Sequence, residues 1–418
     1  MQVSRRKLLL GGGALGVLSA LPMRPAWAWS TKRSVAGGDL ATLPPDEVWD
    51  DPADAVVHRL FREEGIARID ELNALLRPWV HNGQTLPDGL PDDLVAFIEE
   101  ARQLPPWYDA SRIADGFTFY QHRGSETGLL YALGSGMMSC AIPDEARAVY
   151  HSKGGEDMRD RITKTAKLGY DIGAEDAFDP TGQMIVTCIK TRLTHSAVRH
   201  LITSSPRWQA GGDIPAPISQ RDIMITWHSL ATFIHRTLAR WGVTSPAHEE
   251  NGYLHTWQVT AHFLGVQDVY IPATWTDAIH QSDLTLDTVI GSTPEGVSLA
   301  DTLLDLIDED NPGIIRPVLH ALVREVVGTT NDGRSIADML EIPREPVWDP
   351  VIQNAWPVYT SMRAAGQPFP GSEDLTYTFD EIIRMGVIYT LNNGRPPEQI
   401  YIEMPTANRS EASYGSSY

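Results

Sequence analysis

Residues 181–203 restrict the fold of this chain most strongly, because their apolar side chains point in almost every direction around a helix. A helix that is apolar on all sides has to lie in the interior of a protein. Asp179 and Pro180 provide an N-cap and a first-turn proline for this helix, and Pro206 stops it. We therefore predict a central helix over 181–203, with the rest of the chain packed around it.

Three polar residues of this segment are informative because they share one face of the helix. Arg192, His195 and Arg199 occupy positions i, i+3 and i+7 beside apolar neighbours. Burial and two flanking cations both lower the pKa of a histidine, so His195 should present a neutral imidazole. Neutral imidazole is the form that binds metals. The ordinary alternative is a core histidine that only makes hydrogen bonds.

A second segment, 156–170, also carries cations where burial is expected. At about 100° per residue its apolar side chains form one stripe; Arg161 and Thr165 fall inside this stripe, and Lys164 lies at its edge. Desolvating an unpaired guanidinium costs several kcal/mol, so an anion should meet Arg161. That anion is an internal carboxylate or a ligand, unless the side chain snorkels to the surface.

A haem would satisfy both segments at once, because its iron takes an axial imidazole and its two propionates take arginines. Other metal chemistry is disfavoured. Two cysteines, Cys140 and Cys188, are too few for a Cys-rich zinc site or an iron–sulfur cluster. The histidines that recur every seven residues over 248–262 are about 10.5 Å apart, too far to share one ion, and no HExxH motif occurs.

The remaining apolar pattern is helical, and strand alternation is rare, which predicts an all-α protein. Short connectors rich in Pro and Gly separate the helices, and no internal repeat indicates a solenoid. With 418 residues, 42% of them hydrophobic, the chain can bury a sizeable core. The predicted helices are 53–64, 91–103, 143–152, 156–170, 181–203, 219–241, 247–264, 297–308, 314–328 and 378–391.

The N-terminus predicts export. Ser4-Arg5-Arg6-Lys7 precedes an apolar run over 8–21, and Ala26-Trp27-Ala28 supplies a cleavage site. This is the pattern of a twin-arginine signal peptide over 1–28, and the run is shorter than the ~20 residues of a membrane anchor. Its removal takes four cations and no acids from a chain of formal charge −20, leaving −24. Such a charge disfavours nucleic acid and anionic lipid as partners.

We therefore expect a secreted or periplasmic protein, exported by the twin-arginine translocase and without stable membrane association. Residues 29–405 should form one helical haem-binding domain, followed by a flexible tail over 406–418 that has little to bury. Cys140 and Cys188 should be free core cysteines, because twin-arginine cargo folds where thiols stay reduced. We expect a monomer.

Several motifs together resemble the latex clearing protein family. They are Leu104-Pro105-Pro106-Trp107-Tyr108-Asp109, the Arg161-x-x-Lys164-Thr165 triplet, and His195 within Leu193-Thr194-His195-Ser196-Ala197-Val198-Arg199-His200, behind an export signal. The resemblance runs from the signal to about residue 330. It implies a secreted haem b oxygenase with a globin-like helical core. It also implies cleavage of the C=C bonds of poly(cis-1,4-isoprene) by dioxygen, leaving aldehyde and ketone ends.

The resemblance implies roles on both sides of the haem. His195 would be the proximal ligand of the iron. Lys164 would be a distal ligand in a closed resting state, and Arg161 and Thr165 would hold Lys164 in place and shape the pocket. A polymer has to reach the iron, so an apolar channel should open when Lys164 swings away.

Four further roles follow from the same resemblance. Arg192 and Arg199 would lie at the haem edge, and Arg324 would be a further haem-side arginine. Glu145 would be the base that takes a proton from the substrate. The alternative for Glu145 is a structural one, since Pro143-Asp144-Glu145 also has the composition of an acidic first turn that complements a helix dipole.

Two other functions are compatible with these residues. An oxygenase of the broader family that acts on a small prenylated or terpenoid compound would share the haem site and differ in channel length. A non-catalytic haem protein of globin type would keep Lys164 as a permanent sixth ligand. Product analysis separates the first alternative from cleavage of the polymer. Displacement of Lys164 by small ligands separates the second.

Overall fold

Helices form the secondary structure of this protein. The computed structural model describes residues 33–37, 44–211, 215–309, 313, 315–355 and 391–416, and within these ranges β structure is limited to isolated bridges. The predicted all-α fold is confirmed. No helix among the described residues is long and apolar enough to cross a bilayer. The predicted signal peptide, and the predicted helix 378–391 except its last residue, lie outside the described residues.

The helices follow one another through short connections. The first nine are α1 (Asp51–Arg59), α2 (Ile66–Leu76), α3 (Asp92–Ala101), α4 (Ala110–Leu129), α5 (Gly136–Cys140), α6 (Pro143–His151), α7 (Lys153–Glu156), α8 (Met158–Asp171) and α9 (Met184–Ile202). The later ones are α10 (Pro206–Gln209), α11 (Gln220–Trp227), α12 (Phe233–Arg240), α13 (Ala247–Phe263), α14 (Trp275–Leu284), α15 (Leu286–Val289), α16 (Pro294–Asp308), α17 (Arg316–Val327) and α18 (Ile336–Met339). Short 3-10 turns lie at Pro45–Glu47, Asp268–Tyr270, Pro397–Gln399 and Glu411–Ser416.

The predicted central helix is α9, which contacts α1, α8 and α13 and is buried on nearly every side. It begins at Met184, later than predicted, and Asp179 does not cap it. Instead the side-chain oxygen of Asn82 accepts hydrogen bonds from the backbone N–H groups of Ile185 at 3.0 Å and Val186 at 3.3 Å. A loop far away in the sequence thus satisfies the first turn of the central helix.

The helices α4 and α13 cross closely because two glycines face each other. A Cβ atom at Gly116 would come within 2.3 Å of Thr256 Oγ1, and a Cβ atom at Gly252 would come within 2.3 Å of Gly116 N. No larger residue allows the two backbones to approach this closely. The tight pair supports one side of α9, since α13 contacts it.

Three π-helical turns interrupt the described helices, at Leu60–Glu64, Leu130–Ser135 and His228–Thr232. The second and third touch each other, and Ser135 Oγ donates a hydrogen bond to the backbone oxygen of Ser229 at 2.8 Å. A π turn adds a residue to the helical repeat. The side chains of α5 and α12 therefore point in directions that a regular α-helical period does not predict.

The two cysteines are buried and unpaired, as predicted for Cys140 and Cys188. Burial raises the pKa of the Cys140 thiol to about 12 and also raises that of Cys188. Both thiols therefore stay protonated and unreactive at neutral pH.

Residues 408–414, which belong to the predicted flexible tail, pack on the end of α6 in this structure. The guanidinium of Arg409 lies 4.4 Å from the ring centre of Tyr150 and 4.6 Å from that of Tyr414. The hydroxyl of Tyr414 is 2.9 Å from Nδ1 of His151. A cation between two rings makes contacts that the Ser- and Gly-rich composition of the tail does not reveal.

Replacing Arg409 tests whether the tail is part of the fold. Arg409→Ala should lower the free energy of unfolding by about 1–2 kcal/mol, because it removes the contacts to both rings and the hydrogen bonds of the guanidinium. Chemical denaturation of the full chain measures the change. Glu411→Ala is the matched control, since it removes only an exposed ion pair with Arg207 and should leave stability almost unchanged. Equal stability of Arg409→Ala and the parent would support the prediction of a flexible tail.

Candidate active site

Partly buried side chains from α6, α8 and α9 lie close together. Glu145 comes from α6, Arg161 from α8 and His195 from α9. Arg161 Nη2 lies 3.5 Å from Glu145 Oε1, and its charge is close enough to His195 to lower the pKa of that imidazole. The fold thus brings together three residues that lie in separate segments of the sequence.

His195 is a partly buried, neutral histidine whose Nδ1 faces the interior. Burial first, and then the charge of Arg199, lower its pKa to about 4, whereas Asp50 opposes the shift. Its Nδ1 is buried and has no hydrogen-bond partner among the described residues. Buried polar atoms of side chains usually have a partner. The ring is therefore neutral at physiological pH, with a buried nitrogen that no internal hydrogen bond occupies.

Glu145 supplies the carboxyl group of the site. Thr226 Oγ1 donates a hydrogen bond to its Oε2 at 2.9 Å, and its Oε1 faces Arg161. Burial raises the pKa of Glu145, and the Arg161 charge and the Thr226 hydrogen bond partly oppose this. Glu145 lies in the first turn of α6, where the structural alternative places it. Its carboxylate, however, contacts Arg161 on α8 and Thr226 on α11. The carboxylate therefore takes up a proton more readily than glutamate in water.

A pocket of about 230 Å³ opens beside Glu145, whose side chain is 16% exposed. Its lining combines apolar and acidic residues, namely Ile142, Pro143, Asp144, Glu145, Asp222, Ile225 and Val289. A larger cleft of about 920 Å³ lies between α16, α17 and residues 340–343, and it contains none of the predicted site residues. The smaller pocket is thus the one that adjoins the candidate site.

Arg192 and Arg199 pair with carboxylates of the protein. Arg192 makes two hydrogen bonds of 2.8 Å to Asp50. Arg199 donates to Asp54 at 2.6 and 3.0 Å, and to the backbone oxygen of Ile218 at 3.1 Å. The structure therefore balances both charges internally. The role of these arginines at a haem edge stays a prediction.

The predicted buried face of α8 is confirmed for Met158 and Ile172, which are buried, and wrong for Thr165. Thr165 is exposed, and its hydroxyl donates only to a backbone carbonyl of its own helix. Lys164 is partly buried, with Nζ 2.6 Å from Asp160. The buried side chains of α8 are Met158, Thr163, Lys167 and Asp171. Lys167 and Asp171 neutralise each other one turn apart, so a pattern that treats charged residues as exposed assigns the wrong face.

Three residues of the site escaped the sequence analysis. Asp50 and Asp54 bind the two core arginines, but an acidic pair at this spacing also has the pattern of a helix N-terminus. Thr226 lies on α11 and has no sequence signal that distinguishes it from any other helical threonine.

The predicted haem-side Arg324 lies on α17, where it donates to the backbone oxygen of Ile342 at 2.8 Å and to Asp338 at 2.5 Å.

The fold and the site define an all-α protein in which a neutral, partly buried histidine and a carboxylate both lie near Arg161. A family model described as "ER-bound oxygenase mpaB/B'/Rubber oxygenase, catalytic domain" matches residues 120–367, more than half of the chain. The protein belongs to this oxygenase family, and it is an oxidoreductase. The resemblance noted in the sequence is thus confirmed.

Two relatives are similar over nearly their whole length. The chain is 45% identical over 413 residues to a rubber oxygenase of Streptomyces sp. (strain K30), covering 97% of this chain and 98% of the relative. It is 43% identical to the solved structure of latex clearing protein LCP in the closed state, with a TM-score of 0.76. That match covers 92% of this chain and 98% of the other.

Removing Asp50 tests the internal pairing of the core arginines. Asp50→Ala leaves the buried guanidinium of Arg192 without its carboxylate and should cost about 3–5 kcal/mol of unfolding free energy. Asp160→Ala, the matched control, removes the partner of the partly exposed Lys164 and should cost less than about 1 kcal/mol. Chemical denaturation compares the two variants. If both lose the same small amount, Arg192 does not depend on Asp50.

Proposed function

We propose that this oxygenase cleaves the C=C bonds of poly(cis-1,4-isoprene) with dioxygen and releases oligo-isoprenoids with aldehyde and ketone ends. The observation that carries the proposal is that a neutral His195 and the carboxylate of Glu145 both lie near Arg161, with a buried imidazole nitrogen that has no hydrogen-bond partner among the described residues. The relatives are a rubber oxygenase and a latex clearing protein, which supports this polymer as the substrate.

Haem b is the proposed cofactor, with His195 as its protein ligand. The imidazole suits this role because it is neutral above about pH 4 and its buried Nδ1 has no partner in the described part of the chain. No group of three or more His, Cys, Asp or Glu side chains could hold a metal ion within the ranges that the structure describes. An iron that arrives in a porphyrin needs only one such imidazole. Bound there, it would supply the redox chemistry that uses dioxygen.

Arg192 and Arg199 remain the proposed partners of the haem propionates. Arg192 engages Asp50 through Nε and Nη2, which leaves its Nη1 without a hydrogen bond among the described residues. A guanidinium has five N–H donors, so it can serve an internal carboxylate and a propionate together. The propionates would thus join an existing network of buried charge.

Glu145 is the proposed base. Its ionised carboxylate accepts an allylic proton of the substrate, and burial makes this acceptance more favourable than in water. Arg161 and Thr226 each face one carboxylate oxygen and hold the group in one orientation. Ile142 and Ile225 in the adjoining pocket suit an apolar isoprene unit.

Lys164 is the proposed distal ligand of a closed state, held by Arg161 and Thr165. In this structure its Nζ pairs with Asp160. Exchange of Lys164 between Asp160 and the iron would therefore accompany the change between open and closed states. Asp160 would stabilise the open position of the lysine.

The cellular setting is also part of the proposal. Residues 1–28 would direct export through the twin-arginine translocase, and the mature chain would act outside the cytoplasm as a monomer. A polymer as large as polyisoprene does not enter a cell, so an exported enzyme suits this substrate.

His195→Ala tests the cofactor. The full chain, expressed with haem supplied, should show a Soret band, and the variant should lose it because the substitution removes the proposed proximal ligand of the iron. His262→Ala is a matched control. His262 pairs with Asp268, so the variant that lacks it should keep the Soret band. The measurement is a visible spectrum with a haem assay. A colourless parent protein would contradict the haem proposal.

Glu145→Gln tests the base. The variant should retain the Soret band and lose about 10²-fold or more of its turnover, because glutamine cannot accept the proton. The measurement is the release of carbonyl-ended oligomers from polyisoprene, with short isoprenoids assayed in parallel. Unchanged turnover would exclude Glu145 as the base. Cleavage of short isoprenoids alone would exclude the polymer as the substrate.

The pH profile tests the contact to Thr226. Only ionised Glu145 can act as a base, so activity should fall as the pH drops through its raised pKa. Thr226→Val removes a hydrogen bond that lowers this pKa, so the acidic limb should move to higher pH. Thr226→Ser keeps the hydroxyl and should leave the limb in place. Identical limbs for the valine variant and the parent would show that Thr226 does not tune Glu145.

A further inference from the structure

Lys190 is a buried cation without an anion beside it. It lies on α9 five residues before His195, and therefore on a different side of that helix. The residue is 7% exposed, and its Nζ makes no ion pair or hydrogen bond within the described ranges, although this atom is not completely shielded from solvent. An ammonium group that is largely desolvated and has no counter-ion is destabilised relative to the neutral amine. The position of Lys190 therefore favours loss of its proton more than an exposed position would.

The nearest groups do not neutralise Lys190. Its Nζ lies 5.8 Å from the ring centre of Trp79, which is fully buried. A second lysine, Lys167, acts on Lys190 through its charge, and its own Nζ binds Asp171 at 2.8 Å and Gln183 at 2.9 Å. Lys190 is thus left with an indole ring as its main partner, and an indole attracts a cation only weakly.

Burial and a neighbouring cation make Lys190 easier to deprotonate than an exposed lysine. Burial, and then the charge of Lys167, lower the pKa of Lys190 to about 8, and Glu403 only partly opposes this. Glu403 is itself bound to Arg77, with Nε at 2.5 Å from Oε1. A lysine that is desolvated and placed beside another cation is the arrangement by which proteins make an amine nucleophilic toward carbonyl compounds.

We propose that Lys190 is a covalent attachment site for aliphatic aldehydes. The lone pair of Nζ attacks the carbonyl carbon, and one nitrogen proton moves to the oxygen to give a carbinolamine. The carbinolamine then loses its hydroxyl group and the remaining nitrogen proton as water. A C=N bond remains, and the step needs no oxidant or reductant. That the natural aldehyde is an isoprenoid chain end rests on the function proposed above.

An imine at Lys190 would hold the aldehyde end of a product chain on a side of α9 different from that of His195. The carbinolamine and imine steps are reversible in water, so occupancy would follow the local concentration of carbonyl ends. The site would therefore act as a reversible tether for product that accumulates around the enzyme.

The first experiment uses an added aldehyde and does not depend on turnover. The full chain is incubated with citronellal at neutral pH, cyanoborohydride reduces the imine to a stable amine, and peptide mass spectrometry locates the adduct. Exposed Lys153, paired with Glu156, is the internal comparison among the six lysines of the chain. We expect Lys190 to be labelled at least about tenfold faster than Lys153, because more of it is unprotonated. Labelling of Lys153 with none at Lys190 would overturn the proposal.

Two variants and a pH series make the result specific. Lys190→Arg keeps the charge and removes the nucleophile, and Lys190→Met keeps an apolar side chain of similar length should the arginine not be accommodated. Both should lose the adduct at this position and keep the parent haem spectrum and turnover. The labelling rate should reach half of its maximum near pH 8, with Lys167, Asp171, Glu403 and Arg77 as the charged groups nearby. A rate that rises only above about pH 10, as for an ordinary lysine, would overturn the proposal.

A second arm traps aldehydes during turnover on polyisoprene. An adduct with the mass of an isoprenoid aldehyde at Lys190 supports the tether. Labelling by citronellal without any adduct during active turnover would limit Lys190 to foreign aldehydes and overturn the tether. If turnover itself fails, the citronellal arm still decides whether Lys190 is reactive, so failure of the proposed function and failure of this inference are distinguishable.

Discussion

Two buried arginine–aspartate pairs determine how the central helix lies in this protein. A guanidinium in a dry interior is tolerated only with a carboxylate beside it. Arg192 and Arg199 are two turns apart on α9, and Asp50 and Asp54 meet them from the start of α1. The pairs fasten α1 along α9 and set the rotation of α9 about its axis. That rotation directs His195, which lies between the two arginines, toward the interior near Arg161.

The same cations tune the chemistry of the candidate site. Arg199 and Arg161 both disfavour a proton on His195, which adds to the effect of burial. Arg161 also favours the ionised form of Glu145, against the effect of burial on that carboxyl group. One guanidinium thus keeps the histidine neutral and the carboxylate within reach of ionisation. Thr226 donates a hydrogen bond to the carboxylate, which also favours the ionised form of Glu145.

Sequence patterns predicted the elements whose burial follows a simple apolar period. The helix around His195 and those over 143–152 and 247–264 are present with ends shifted by a few residues. The long helix α4 was missed because its buried face includes Gly116, Arg123 and Glu126, which a periodicity argument treats as polar or neutral. The contacts of residues 408–414 were not predicted for a similar reason, since they come from a cation near two neighbouring rings and not from apolar composition.

The sequence alone determined the helical fold class, the neutral state of His195 and the motifs that mark the oxygenase family, because each depends on residue types at fixed spacing along one helix. Only the tertiary structure decided which anions meet the buried cations. Glu145 pairs with Arg161 and Asp50 with Arg192, and Lys190 has no ion-pair partner in the part of the chain that the structure describes. These pairings join residues far apart in the chain, and helical periodicity contains no information about which distant carboxylate reaches a given guanidinium. The physical reason is that a charge is neutralised in space, by whatever the packing of whole helices brings within hydrogen-bond distance.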